Sequence, residues 1–371
     1  MPTRRDVLGA GGLALAGVAL SGCGSARDEY SAAAARIWRH AVAIPPTLSG
    51  ILTELVRLAT LAPSTYNSQC WRFRASRDGI TILPDPERRS PVVDPDDHHL
   101  FVSLGCAVEN IVQSAASLGL YSHVELGAEA DDGLTVKLEA GVPARSQTAD
   151  AIPARQTTRA MFDRKPVAAP DLARLERVAR APGVTPVLVT GAAQKRRILD
   201  LATVANRAWY TSPARVEELK RWTRFDDTSA LATQDGLAPA PAGRTPLPPV
   251  IGGALFDLLA ASDRNNDKLV AAVRNSAGLV AFVSAVDDRA HWVATGRAFQ
   301  RFALLTTALG IRHDWVNPPA DLPEFRPQLG MELGEPAGRP ALLLRFGYGP
   351  FRPRSLRRAM PGDALDLDLS L

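Results

Sequence analysis

Apolar residues recur at helical spacing in two places that lie far apart in the chain. Between residues 103 and 120, Leu104, Ala107, Val108, Ile111, Val112 and Ala115 fall on one face of a helix, and Gly119 suits its C-terminal cap. Residues 294–311 repeat the plan. Gly296 and Gly310 are spaced as Gly105 and Gly119 are, and Ala298 and Leu309 fall where Ala107 and Leu118 fall. Each helix leads into a polar segment that turns β-like, YSHVEL after the first and RHDWVN after the second. A shorter amphipathic helix is predicted over 51–61, with strands over 71–75, 80–83 and 134–140. The simplest account is an α+β unit present twice, over 46–150 and 151–365.

The second copy is longer because of residues 225–253, dense in Ala, Pro and Gly. That composition predicts a loop rather than added core, and a loop of this length in a compact domain is functional or disordered. Residues 24–45 read as an Ala-rich, partly helical tether ended by Pro45 and Pro46. Ahead of it, Arg4 and Arg5 precede an apolar run, 7–20, too short and too rich in Gly and Ala for a membrane span. The run ends in LSGC, which looks like a bacterial lipobox with Cys23 as the acylated residue, and the paired arginines resemble the signal that exports folded proteins. Residues 1–23 thus predict a lipoprotein exported to the periplasmic or cell-surface side and anchored through Cys23. Export in the folded state suits a protein that acquires a tightly held cofactor first.

The net charge of +4 is spread along the chain, with no basic cluster interleaved with aromatics, which argues against nucleic-acid binding. Cys70 and Cys106 have no repeated spacing and no His partner at metal-ligand distance. They read as two buried free thiols, with a disulfide the alternative in an exported chain.

Two stretches carry chemistry. APSTYNSQCW, residues 62–71, holds four hydroxyls (Ser64, Thr65, Tyr66 and Ser68), two amides and an indole, more hydrogen-bonding capacity than a core segment needs. RQTTRAMFDRKPV, residues 155–167, alternates Arg155, Thr157 and Arg159, which in an extended segment point to one side. Two guanidiniums and a hydroxyl converging in this way suit a phosphate monoester; the alternative is a solvated basic segment before a helix. No Ser-His-Asp set, catalytic carboxylate pair or metal cluster is seen, and His98 and His99, in a polar loop, read as surface residues.

Together the two stretches resemble pieces of the FMN-dependent nitroreductase superfamily. Over residues 46–365 the chain is similar to the Acg-type branch, in which a dimer is fused into one polypeptide. Further landmarks are DPDDHHLFVSLGCAVENI in the first half, the apolar run ending at Arg345, and PRSLRR over 353–358. The resemblance implies a nitroreductase-like fold duplicated as a pseudo-dimer, with mixed or antiparallel sheets flanked by helices and one FMN shared between halves. Ser64, Thr65, Asn67 and Gln69 would contact the flavin from the first half, and Arg155, Thr157, Arg159 and Arg345 from the second. The equivalent of the amide-rich turn in the second half has decayed to ARAPGVTPVLV, residues 179–189. Cys70 stands where the family has Pro, and Thr157 where Ser is commoner. The cofactor would carry the chemistry, so no catalytic side chain is expected. The implied activity is ping-pong electron transfer between a small-molecule donor and an acceptor such as a nitroaromatic or quinone. The branch is also associated with a lid, for which residues 225–253 are the candidate, so a flavin-sequestering protein with little turnover is the alternative.

Overall fold

The computed structural model describes residues 25–359, apart from 42, 46, 261 and 262, together with the backbone of 365–368. The export signal and Cys23 lie outside the described residues. The first unit runs from helix α1 (25–37) and α2 (Leu48–Thr60) through strands β1 (Trp71–Ser76) and β2 (Gly79–Pro84). It continues with α3 (His98–Ser117), β3 (Leu120–Leu126) and β4 (Leu134–Ala140), and the short α4 (Gln147–Asp150) leads out of it. The second unit opens with α5 (Ala169–Ala179) and β5 (Val184–Val189). Six helices follow: α6 (Ala192–Tyr210), α7 (Pro213–Arg221), α8 (Asp227–Thr233), α9 (Pro239–Ala242), α10 (Pro249–Ala260) and α11 (Arg264–Arg274). The unit then closes with β6 (Gly278–Ser284), α12 (Arg289–Ala308), β7 (Arg312–Trp315), α13 (Pro318–Asp321), α14 (Arg326–Leu333) and β8 (Arg339–Gly347).

The duplication read from the helical patterns is a duplication of topology. One sheet has the order β3-β4-β2-β1 and the other β7-β8-β6-β5, so α2-β1-β2-α3-β3-β4 maps onto α5-β5-β6-α12-β7-β8. All these pairings are antiparallel; a last strand, β9 (Leu365–Asp368), adds in parallel to β1. The fold is α+β, as expected.

α3 and α12 pack against each other at the centre, and their crossing is as symmetric as the sequence spacing. A Cβ on Gly105 would lie 2.3 Å from the Val293 carbonyl oxygen, and one on Gly296 would lie 2.0 Å from that of Val102. The same interval separates Gly105 from Gly296 and Val102 from Val293, so each unit presents its glycine to the other's valine carbonyl. Only a residue without a side chain permits that approach. Both helices end at glycines with positive φ, Gly119 at 79° and Gly310 at 71°.

Three sequence expectations are corrected. Residues 225–253 are not a loop: α8, α9 and the start of α10 lie there, within an insertion between β5 and β6 that is largely helical. The prolines taken as breakers are helix starters, since Pro239 and Pro249 open α9 and α10, where a missing N–H costs nothing. Residues 24–45 are more than a tether. Tyr30, Ala33, Ala34 and Trp38 are buried, and Tyr30 Oη and Trp38 Nε1 donate to the carbonyls of Arg354 (2.9 Å) and Ser355 (2.7 Å). The second unit also does not run to 365, because the C-terminal tail crosses back to the first. There Arg357 donates to the carbonyls of Thr60 (2.7 Å), Leu61 (3.3 Å) and Ala62 (3.1 Å) at the end of α2.

The helix crossing gives a direct test. Gly296→Val is expected to destabilise the chain by roughly 1–3 kcal/mol, the usual range for an overpacked core. Denaturant unfolding measures it, and an unchanged midpoint would mean that the crossing tolerates separation.

Candidate functional site

The amide-rich turn joins α2 to β1 through residues 61–70, whereas 180–183 suffice for the same connection between α5 and β5. Within it Tyr66, Asn67 and Gln69 have φ of 53°, 58° and 55°, a left-handed conformation that non-glycine residues adopt only under constraint. The constraint is visible. Ser64 Oγ accepts the Gln69 N–H at 2.9 Å, and Asn67 Oδ1 accepts from Arg357 at 2.7 Å. Gln69 Nε2 donates to the Gln234 carbonyl at 2.9 Å and Gln69 Oε1 accepts the Arg358 N–H at 2.8 Å. A proline at 70 is not needed for stiffness when the insertion and tail clamp the turn from both sides. Cys70 is buried and, like Cys106, free; burial pushes its thiol up to about 12.

The turn forms one wall of a basic recess of about 50 Å³. Ser64 and Asn67 face Arg155, Thr157 and Arg159 across it, with Trp38, Arg354 and Arg357 completing the lining. Thr157 bridges to His313 as an isolated parallel pair and the Thr158 N–H donates to the His313 carbonyl at 2.9 Å, which keeps 155–159 extended with its alternate side chains inward. Arg155, Arg354 and Arg357 gather around the Trp38 ring at 6.0, 5.0 and 4.8 Å from its centroid.

The electrostatics of this recess are one-sided. Arg155 and Arg357 are 3% and 4% exposed, yet among the described residues neither they nor Arg354 meets a carboxylate; their partners are backbone carbonyls and the Asn67 amide oxygen. Burial, with neighbouring guanidiniums adding, lowers Arg155 to about 10 and Arg357 to about 9. Arg155 Nε and Nη1 are buried without a partner. A buried cation with free donors is costly, and an anion with several acceptor oxygens removes the cost.

Pro63, Ser64, Arg159, Leu237 and Trp315 line both this recess and an adjoining chamber of about 290 Å³. The chamber walls are mostly apolar and aromatic, among them Val102, Cys106, Trp209, Phe299 and Leu342, with Thr65 and Tyr66 from the turn. Its roof comes from the insertion, through Asn206, Trp209, Tyr210, Leu219 and Leu237. At one side His99 contacts Asp321 Oδ1 through Nε2 at 2.8 Å, and Asn317 donates to the same oxygen.

The histidine pair was expected at the surface. Instead it starts α3, His98 is 2% exposed and its Nε2 has no partner. Burial, with His99 and Arg339 adding, holds His98 well below its ordinary pKa. Burial also opposes the charged form of His99, but the hydrogen bond and charge of Asp321, with Asp94 behind, hold it above its ordinary value. Asp94, His98 and His99 bring possible ligand atoms within 4.8 Å of one another. Both Asp94 oxygens, however, cap α3 by accepting the N–H groups of His99 and Leu100 at 2.9 Å.

Six of the eight residues expected at the flavin, Ser64, Thr65, Asn67, Arg155, Thr157 and Arg159, line the recess or the chamber. Gln69 and Arg345 line neither. Gln69 is spent on the clamp described above. Arg345 pairs with Asp314 (2.8 Å), donates to the Ala160 carbonyl (2.8 Å) and stacks on Phe162, so its charge is already satisfied. Sequence reasoning missed Arg354 and Arg357, although PRSLRR was visible, and Trp38, because its segment resembled a linker. The roof residues carried no signal beyond the existence of an insertion.

No family model matches the chain. It is similar to "Putative NAD(P)H nitroreductase Rv3131" of Mycobacterium tuberculosis, 26% identical over 302 residues that cover 80% of this chain and 84% of the relative. It is also similar to "Putative NAD(P)H nitroreductase acg" of the same species, 22% identical over 329 residues that cover 83% and 92%. Among solved structures, the FMN-bound nitroreductase of Bacteroides fragilis aligns with 56% of this chain and 90% of its own, at 16% identity and a TM-score of 0.34. The FMN-dependent nitroreductase NfnB of Mycobacterium smegmatis aligns with 58% and 95%, at 16% identity and a TM-score of 0.38.

Two tests follow from the charges. Arg155→Met removes an unpaired buried cation, so without phosphate or flavin the variant is expected to be more stable by roughly 1–3 kcal/mol. Inorganic phosphate should raise the melting temperature of the parent but not that of the variant, and an equal rise in both would place the anion elsewhere. The raised pKa of His99 means that its charged pair with Asp321 contributes fully below the unfolded imidazole value and is lost as pH rises. The stability advantage over His99→Gln should therefore shrink as pH rises from about 6.5, measured by thermal unfolding across pH.

Proposed function

We propose that the chain is an exported FMN-dependent oxidoreductase of nitroreductase type, binding one FMN between its two units. The observation that carries this reading is Arg155, buried with two nitrogens that have no partner among the described residues, in a recess of four guanidiniums and, among those residues, no carboxylate, opening onto an aromatic chamber. A phosphate monoester attached to a flat, largely apolar ring system supplies what each compartment lacks. The similarity to relatives named NAD(P)H nitroreductases, over most of both chains, supports the same reading.

Arg155, Arg159 and the Thr157 hydroxyl would hold the phosphate, with Arg354 and Arg357 adding to the field. Ser64 and Asn67 would face the chain between phosphate and ring, and Trp315, Phe299 and Thr65 would border the ring. When bound, FMN supplies two-electron chemistry in two half-reactions, from a donor and then to an acceptor. The protein's part is to orient the ring, exclude water with the insertion, and hold a proton on His99 at the chamber wall. The twin-arginine leader and the lipobox at Cys23 support export with the cofactor in place and anchoring at the membrane. Little NAD(P)H is available there, so a quinol or another small reductant is the donor class to test first.

The roof favours one second reading. Trp209, Tyr210 and Leu237 cover the chamber, as a flavin-sequestering protein would require.

Purified chain is expected to carry one FMN; two would overturn the shared site, and none would overturn both readings. Replacing Arg155 and Arg159 with Ala should weaken FMN binding roughly 100-fold or more, since charge-assisted hydrogen bonds contribute about 1.5–3 kcal/mol each. Fluorescence titration reads the loss and circular dichroism confirms the fold. Anaerobic mixing with NADPH, NADH or a quinol then separates the readings: bleaching of the flavin marks an oxidoreductase, and no bleaching with any donor marks a store.

A further inference from the structure

We propose that the outer face of α10 docks on the surface of a lipid bilayer. α10 exposes Val250 (85%), Ile251 (57%), Leu255 (39%) and Leu258 (74%). At about 100° per residue these four fall within an arc of about 140°, so they form one continuous apolar face. The charged residue of α10 with a described side chain, Asp257, is paired with Lys220 at 2.7 Å. Scattered exposed hydrophobes are ordinary, but this helix turns an apolar stripe outward with no partner on it among the described residues.

The position of this face identifies the partner. α10 is held from within by Phe225, which stacks on Phe256 at 6.0 Å and packs over Gly252. Two residues after Phe225, Asp227 pairs with Arg27 at 3.2 Å. The start of α1 therefore lies beside the element that carries α10. Upstream of α1 the sequence has the apolar run 7–20 and the lipobox cysteine, Cys23. An acyl anchor at that point brings α10, an apolar helix with the single charge Asp257, to the lipid, where its exposed apolar side chains enter the interface. A single chain attached at one point is free to pivot, and the second contact fixes its orientation. Behind α10 is a cavity of about 360 Å³ lined by Leu247 and Phe256 and by Arg224, Arg244 and Lys268, with Leu255 at the edge between it and the outer face. Tyr210 and Leu219 separate it from the chamber, so docking turns this side of the site toward the lipid. The inference rests on the anchored-lipoprotein part of the proposed function.

The test uses the full acylated chain carrying Leu258→Cys, labelled with bimane. Cys70 and Cys106 are buried and free, so the label goes to the new thiol. The parent chain, treated alike, reports whether Cys23 is blocked by acylation, which checks the anchor separately. With vesicles of phosphatidylcholine and phosphatidylglycerol, the emission should shift to the blue and be quenched by brominated lipid. Adding Ile251→Asp should remove the shift while the chain still floats with the vesicles. An aqueous emission spectrum on a chain that floats would overturn the proposal, as would a concentration-dependent blue shift without vesicles, which marks a contact between copies. A chain with an unblocked Cys23 that does not float would remove the anchor, and the docking with it.

Discussion

The two units are held together by a close approach of backbones, with side chains pairing around it: Gln300 donates to Asn110 at 2.6 Å, and Arg297 and Arg301 meet Glu109. Gly105 and Gly296 let α3 and α12 come close enough for each to meet a valine carbonyl of the other, and everything functional is arranged around that line. The chamber lies beside it. Val102, Ser103 and Cys106 reach the chamber from α3, Phe299 from α12 and Trp315 from the strand that follows. Separating the helices by the width of a methyl group would displace both sides of the chamber at once. A recess lined from both units needs such a rigid joint, because close-packed helices transmit any separation to both of its sides.

The basic recess depends on segments that sequence order places far apart. Arg357, near the C-terminus, fastens to the end of α2 and to Asn67, while Arg354 donates to the carbonyls of Ala154 and Arg155. The tail thus ties the strained turn of one unit to the basic segment of the other. α1 in turn holds the tail through Tyr30 and Trp38. The left-handed residues of the turn and the uncompensated arginines are both costly, and both are concentrated where a ligand would repay them.

Periodicity made the repeated helix legible, down to the paired glycines, because a buried helix writes its face into the sequence. Alternation placed Arg155, Thr157 and Arg159 on one side for the same reason. What failed depended on context. Pro239 and Pro249 look like breakers in composition but open helices in the fold. Trp38, in an Ala-rich stretch, looked like part of a linker until the tail gave it a partner. Arg345 has the residue type that suits a phosphate contact, but Asp314 on the neighbouring strand had already claimed its charge, and strand pairing is not readable from one sequence. His98 and His99 sit at the start of the best-predicted helix, yet only tertiary packing buries the first and half-buries the second.

The asymmetry of the duplication bears on how many anions the chain holds. In the second unit, the carbonyls of Val178 and Arg180 at the end of α5 accept from Arg301 of α12 at 2.8 and 3.1 Å. Arg301 is paired with Glu109 of α3, as is Arg297, at 3.2 and 2.9 Å. The end of α2 is likewise covered by arginines, Arg155 and Arg357, but no carboxylate among the described residues answers them. The same corner of the fold is electrically closed in one unit and open in the other. Where the connection shrank to 180–183 there is no turn to shape a recess, and a glutamate supplies the negative charge. Where the turn persists, no carboxylate among the described residues supplies that charge, and the corner is left open to an anion.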